Sequence, residues 1–223
     1  MNSVKSKSGM LMTKGIMDMR SDPPRLVATI LEFQHPETKK EVTLYPIPNM
    51  AAPDYFSRAL DAGNLSAKYD KILWEDGRLP FKDGTPKARQ NMMLKRLFPF
   101  FSLRPVAADG EKFDGALIRD PFESRMAYQA VLDALDPPVD PRARRGIERI
   151  DTYPEGTKVA VPWGVYHMPY LRYRLLKEGF NLTNTEEVVV FGAQQIMTLF
   201  FVMVGVSLLM TLVSFALFSS LFR

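Results

Sequence analysis

Residues 158–180 read KVAVPWGVYHMPYLRYRLLKEGF, and their reading decides the architecture. Residues 158–163 read as a strand. Gly164 permits a tight approach where that strand ends. A helix is expected to start at Met168 or Pro169, run to Glu178 and stop at Gly179. His167 therefore sits where strand gives way to helix, and ligands bind at strand C-terminal ends in open α/β sheets.

Working towards the N-terminus, residues 136–156 (DPPVDPRARRGIERIDTYPEG) are rich in proline and arginine and read as a loop. Arg142, Arg144, Arg145 and Arg149 are assigned to a solvated face or a partner contact. Residues 122–135 and 87–101 read as helices, the latter with an apolar face of Met92, Met93, Leu97 and Phe100. Residues 76–86 read as a loop, and 71–74 as a short buried strand ending at Glu75. A helix starting at Pro53 is expected to stop at Gly63. Residues 26–33 and 42–47 read as strands that form a hairpin around the polar turn 35–40. Towards the C-terminus, residues 187–191 read as a last strand. Strands alternating with helices imply an α/β class with a mixed, mostly parallel sheet and flanking helices.

Residues 196–222 (IMTLFFVMVGVSLLMTLVSFALFSSLF) contain no charged residue. At about 1.5 Å rise per residue they are long enough to cross a hydrocarbon core of about 30 Å. Ile196, Phe200, Gly205, Leu209, Phe215 and Phe222 mark this anchor, and only Arg223 follows it, as expected of a tail anchor. The serine and threonine hydroxyls within it can bond back to the helix. The expected layout is an N-terminal arm at 1–25, an α/β domain at 26–191 and a transmembrane anchor at 192–223.

The formal net charge is +4 and the pI about 9.2. This basic bias is too diffuse to argue for nucleic acid, and no nucleic-acid partner is expected. With no cysteine in the chain, zinc–thiolate sites, iron–sulfur clusters and thiol nucleophiles are excluded. The partners implied are membrane lipid and other subunits of a membrane complex.

Three residues stand out chemically. His167 can ligate a metal or move protons. Glu75, at another strand end, can meet His167 across the sheet. Arg125, opening a helix, can pair Glu75 or bind an anion.

The order of these pieces resembles the TraB/PrgY/TIKI-like family over residues 26–191. That family carries an early G-x-x-H strand end, a strand ending in glutamate, an arginine-led helix and a second G-x-x-H. Tyr45-Pro46-Ile47-Pro48-Asn49 stands at the first motif, Lys71-Ile72-Leu73-Trp74-Glu75 at the glutamate strand and Ser124-Arg125-Met126-Ala127 at the arginine helix. Trp163-Gly164-Val165-Tyr166-His167 matches the second G-x-x-H. The resemblance implies metal-dependent proteolysis through both histidines and the glutamate, as in the family's Wnt-cleaving members. It also points to mitochondria, because a eukaryotic relative carries a C-terminal anchor in a mitochondrial membrane.

This chain departs from the family at the first motif. Pro46-Ile47-Pro48-Asn49 has lost both the glycine and the histidine. A metal would then rest on Asn49, Glu75 and His167, and an amide oxygen is a poor substitute for imidazole. The expectation is a non-catalytic accessory or scaffold subunit of a membrane complex, such as a respiratory complex or ATP synthase. Asn49, Glu75, Arg125, Gly164 and His167 would be a vestige of a ligand site, with no cofactor. Two alternatives stay open. One is a membrane-tethered peptidase that uses Glu75, His167 and a weakly held divalent metal. The other is a small-molecule or signal-binding module.

Overall fold

The computed structural model describes residues 15–48, 50–59, 62–75, 102–103, 111–113 and 139–221. In chain order the elements begin with β1 (Met17–Ser21), β2 (Pro24–Gln34), β3 (Glu41–Ile47) and β4 (Met50–Ala51). Helices α1 (Pro53–Ala59) and α2 (Ala62–Lys68) lead to β5 (Lys71–Glu75), β6 (Ser102–Leu103) and β7 (Glu111–Phe113). Helix α3 (Pro141–Asp151) precedes β8 (Lys158–Gly164), a 3-10 turn (Val165–His167) and α4 (Met168–Lys177). The chain then forms β9 (Asn181–Phe191) and α5 (Ala193–Leu221).

Among the described residues, seven strands form one sheet. β3, β8, β5 and β7 lie side by side in that order, each parallel to the next. On the other side of β3 lies β2, antiparallel to it, and β1 and β9 are also antiparallel to β2. The sheet is therefore mixed, not mostly parallel. The antiparallel half comes from the β2–β3 hairpin and from β9, which returns along β2 over most of its length.

Both faces of the central strands are covered, successive side chains pointing to opposite sides. Leu31, Phe33, Leu44, Leu73, Val161 and Trp163 point to one side and pack on α3 and α4. Ile30, Tyr45, Ile47, Trp74, Ala160 and Val190 point to the other and pack on α1 and α2. The continuous apolar run of β8 is what a strand buried on both faces requires. Helix α3 comes especially close to the sheet through Gly146. A Cβ added there would lie 2.9 Å from the Trp163 ring. Gly146→Ala gains ~1 kcal/mol of helix propensity but must push back a fully buried indole between helix and sheet. A net loss of ~1–2 kcal/mol is expected in urea denaturation.

Several expectations are corrected. The stretch 136–156 is not all loop, since Pro141–Asp151 is helical. Asp140 caps that helix, Pro141 suits its first turn, and Ala143, Ile147 and Ile150 supply its buried stripe. Gly63 does not end a helix but lies in α2. The arm expected at 1–25 includes a strand, because β1 pairs with β2 and the Ile16 side chain is fully buried. The last strand starts at Asn181 rather than Glu187. Gly179 does end α4: its φ of +91° is left-handed, and the Gly179 and Phe180 N–H groups bond back to Leu176 and Leu175. The helices read at 87–101 and 122–135 lie outside the described residues, as does residue 222 of the anchor.

Helix α5 has 29 residues. Within its segment Ala193–Phe215, an 18-residue window has a mean hydropathy of 2.5 and none of that window is buried. The helix is long and apolar enough to cross a membrane. Met197, Phe200, Phe201, Leu208, Leu212 and Phe215 are exposed on all sides, an apolar surface far larger than soluble proteins leave bare. Thr198, Thr211 and Ser214 donate their hydroxyls to carbonyls one turn back, at 2.8, 2.9 and 2.8 Å. These three hydroxyls are thus satisfied inside the helix, as a hydrocarbon environment demands.

Candidate functional site

The ends of β5 and β8 and the start of α3 converge on a buried group of four charged side chains. Glu75 is the last residue of β5. Its Oε2 accepts from the Gly164 N–H at 2.7 Å, tying the ends of the two strands together. A Cβ at position 164 would lie 3.1 Å from that oxygen, so the glycine allows the carboxylate its approach. His167 ends the 3-10 turn. Its Nε2 lies 3.2 Å from Glu75 Oε1 and its Nδ1 2.5 Å from Asp140 Oδ2. Asp140 Oδ1 accepts from the Arg142 and Ala143 N–H groups, both at 3.0 Å, which caps α3. Arg142 closes the ring by donating to Glu75 Oε1 at 2.8 Å.

His167 is 0% exposed, Asp140 1%, Glu75 5% and Arg142 8%. The Trp163 ring meets the imidazole edge-on at 5.4 Å, and the Tyr166 ring lies at 4.4 Å. Burial pulls the histidine pKa down. The hydrogen bonds and charges of Asp140 and Glu75 outweigh it and lift the pKa to about 9. At neutral pH the ring is therefore an imidazolium that donates to both carboxylates. Among the described residues two cations face two anions, which is how charge is tolerated in an interior.

The residues present do not fit a metal in this arrangement. An ion needs a deprotonated imidazole nitrogen and free carboxylate oxygens. Here both ring nitrogens carry hydrogen bonds to carboxylates, and a guanidinium lies against Glu75. Among the described residues, no group of three or more His, Cys, Asp or Glu is arranged to hold a metal.

The expected meeting of Glu75 with His167 is present, with Gly164 beside them. Asn49 and Arg125 lie outside the described residues. Arg142, assigned to a solvated or partner-facing loop, instead pairs Glu75, whereas Arg144, Arg145 and Arg149 are exposed. Asp140 was missed altogether. Its signal was Asp-Pro ahead of apolar residues at helical spacing, which marks a helix start; the density of proline and arginine hid it. The second histidine, His35, serves elsewhere. Its Nδ1 accepts from the Glu37 and Thr38 N–H groups, and its ring stands edge-on to Phe180 at 5.0 Å. It closes the β2–β3 turn.

Fold and site together define a mixed α/β domain with an ionic knot under its strand ends and an exposed apolar helix at its C-terminal end. No family model, curated protein or solved structure matches the chain.

Proposed function

We propose that this chain is a non-catalytic accessory or scaffold subunit of a membrane protein complex, tethered by α5. The observation that carries this reading is the closed state of the ionic knot. A general base needs a nitrogen within reach of substrate, and a catalytic metal needs an open coordination position. His167 offers neither. Its two bonds instead hold the start of α3 against the ends of β5 and β8. Helix α5 adds support, because its bare apolar surface needs lipid or other transmembrane helices around it. The sequence resemblance alone makes a mitochondrial membrane, with a respiratory complex or ATP synthase as host, the first place to look.

The test is to extract the tagged full chain from its native membrane in mild detergent and size it on a native gel. A discrete assembly with co-purifying subunits in fixed stoichiometry is expected. A partner-free monomer would sink the scaffold reading. Manganese- or cobalt-dependent peptide cleavage by the pure chain, lost in Glu75→Gln, would replace it with the peptidase reading.

A further inference from the structure

The β1–β2 hairpin lies at the foot of α5. Leu26 of β2 stands opposite Phe191, the last residue of β9, and α5 begins at Ala193. Because β2 and β9 are antiparallel, the residues before Leu26 project past the end of β9. These are Arg25, Pro24 and the turn at Asp22-Pro23, with β1 returning beside them. At about 3.3 Å per residue the overhang is on the order of 10 Å. Helix α5 lies against β2, and it begins at the same end of the sheet as the hairpin. If α5 crosses a bilayer, that is the level of the headgroups.

The side chains presented there suit that level. Met19, Leu26 and Phe191 are paired across three strands and share one face of the sheet. Met19 is 61% exposed. One position nearer the tip, Arg20 stands directly opposite Arg25, and like charges so placed repel. Arg20 is relieved by Glu187 at 2.5 Å and Asp18 at 3.5 Å. The Arg25 side chain has no hydrogen bond or ion pair among the described residues, and its Nε is buried without a partner. A guanidinium matches the geometry of phosphate oxygens. Asp22 is exposed at the tip, so the attraction is to one phosphate beside Arg25 rather than to negative surface charge in general.

We propose that the β1–β2 hairpin is a second membrane contact, in which Met19 enters the interfacial layer and Arg25 binds a phospholipid phosphate. Together with α5 it fixes the tilt of the domain on the bilayer. This inference rests on the reading of α5 as a membrane span.

The chain has no cysteine, so single cysteines can be labelled cleanly. Met19→Cys, Gly205→Cys and Glu37→Cys, each in the full chain, would carry an environment-sensitive fluorophore in phosphatidylcholine vesicles. Nitroxide lipids would quench it at headgroup or deep acyl level. A Cβ at Gly205 meets nothing within 4 Å, and Glu37 is exposed in the turn at the far end of β2. Deep nitroxide should quench the label at 205, shallow nitroxide the label at 19, and neither the label at 37. Adding Arg25→Ala should cut shallow quenching at position 19 by about half or more, and Arg25→Lys should retain most of it. Quenching at 205 but not at 19 overturns the hairpin contact and leaves the anchor standing. No quenching at 205 overturns the anchor itself. Quenching at 19 that ignores Arg25→Ala removes the phosphate from the proposal.

Discussion

His167→Ala is expected to destabilise the domain by ~3–5 kcal/mol, the cost of leaving buried charge without its partner. The substitution takes the shared cation from Asp140 and Glu75, which are 1% and 5% exposed. Glu75 keeps Arg142 and the Gly164 N–H, and Asp140 keeps the two N–H groups of the α3 cap. Each carboxylate must then do without the imidazolium that it shared with the other. Both tryptophans, Trp74 and Trp163, are buried in the domain and none lies in α5. Urea denaturation in mild detergent, followed by tryptophan fluorescence, therefore reports on the domain and not on the anchor. Combining His167→Ala with Asp140→Asn should cost less than the sum of the two changes. Asparagine still caps a helix, and the doubly changed site no longer holds Asp140's unpaired charge. A loss below about 1 kcal/mol for His167→Ala would mean that the knot is not what joins α3 to the strand ends.

Raising the pH should weaken the domain through the same residue. The histidine pKa is about 9 in the folded protein and about 6.5 in an unfolded chain. A folded pKa above the unfolded one means that the stabilisation is complete below the unfolded value and is lost as pH climbs through the folded one. Between about pH 6 and about pH 9.5 the imidazolium's contribution, about 3 kcal/mol, should disappear. The difference in stability between the natural chain and His167→Ala should accordingly narrow across that window. A difference that stays constant would mean that His167 holds its proton no more tightly in the folded protein than in the unfolded chain, and the imidazolium assignment would fall.

The residues that close the knot came from different levels of information. Glu75 and His167 were legible because each ends a strand or opens a helix in the linear pattern, and strand ends in an α/β sheet gather at one edge. Arg142 was not, because nothing local distinguishes a buried arginine from its exposed neighbours Arg144 and Arg145. Its place depends on the phase of α3 against the sheet, which Gly146 permits by admitting the Trp163 ring. Strand direction was likewise out of reach. The alternation of elements suits parallel crossovers, whereas β9 turns back along β2 through pairs 147 to 165 residues apart in the chain.

The sequence by itself determined the α/β class, most strands near the site and the apolar C-terminal helix, because these follow from local periodicity and from the length of an uncharged run. Tertiary structure alone decided the mixed sheet, the place of β1 in it and the partners of His167. Those depend on which distant segments share a buried space, and on the need of every charge in that space to find its counter-charge there.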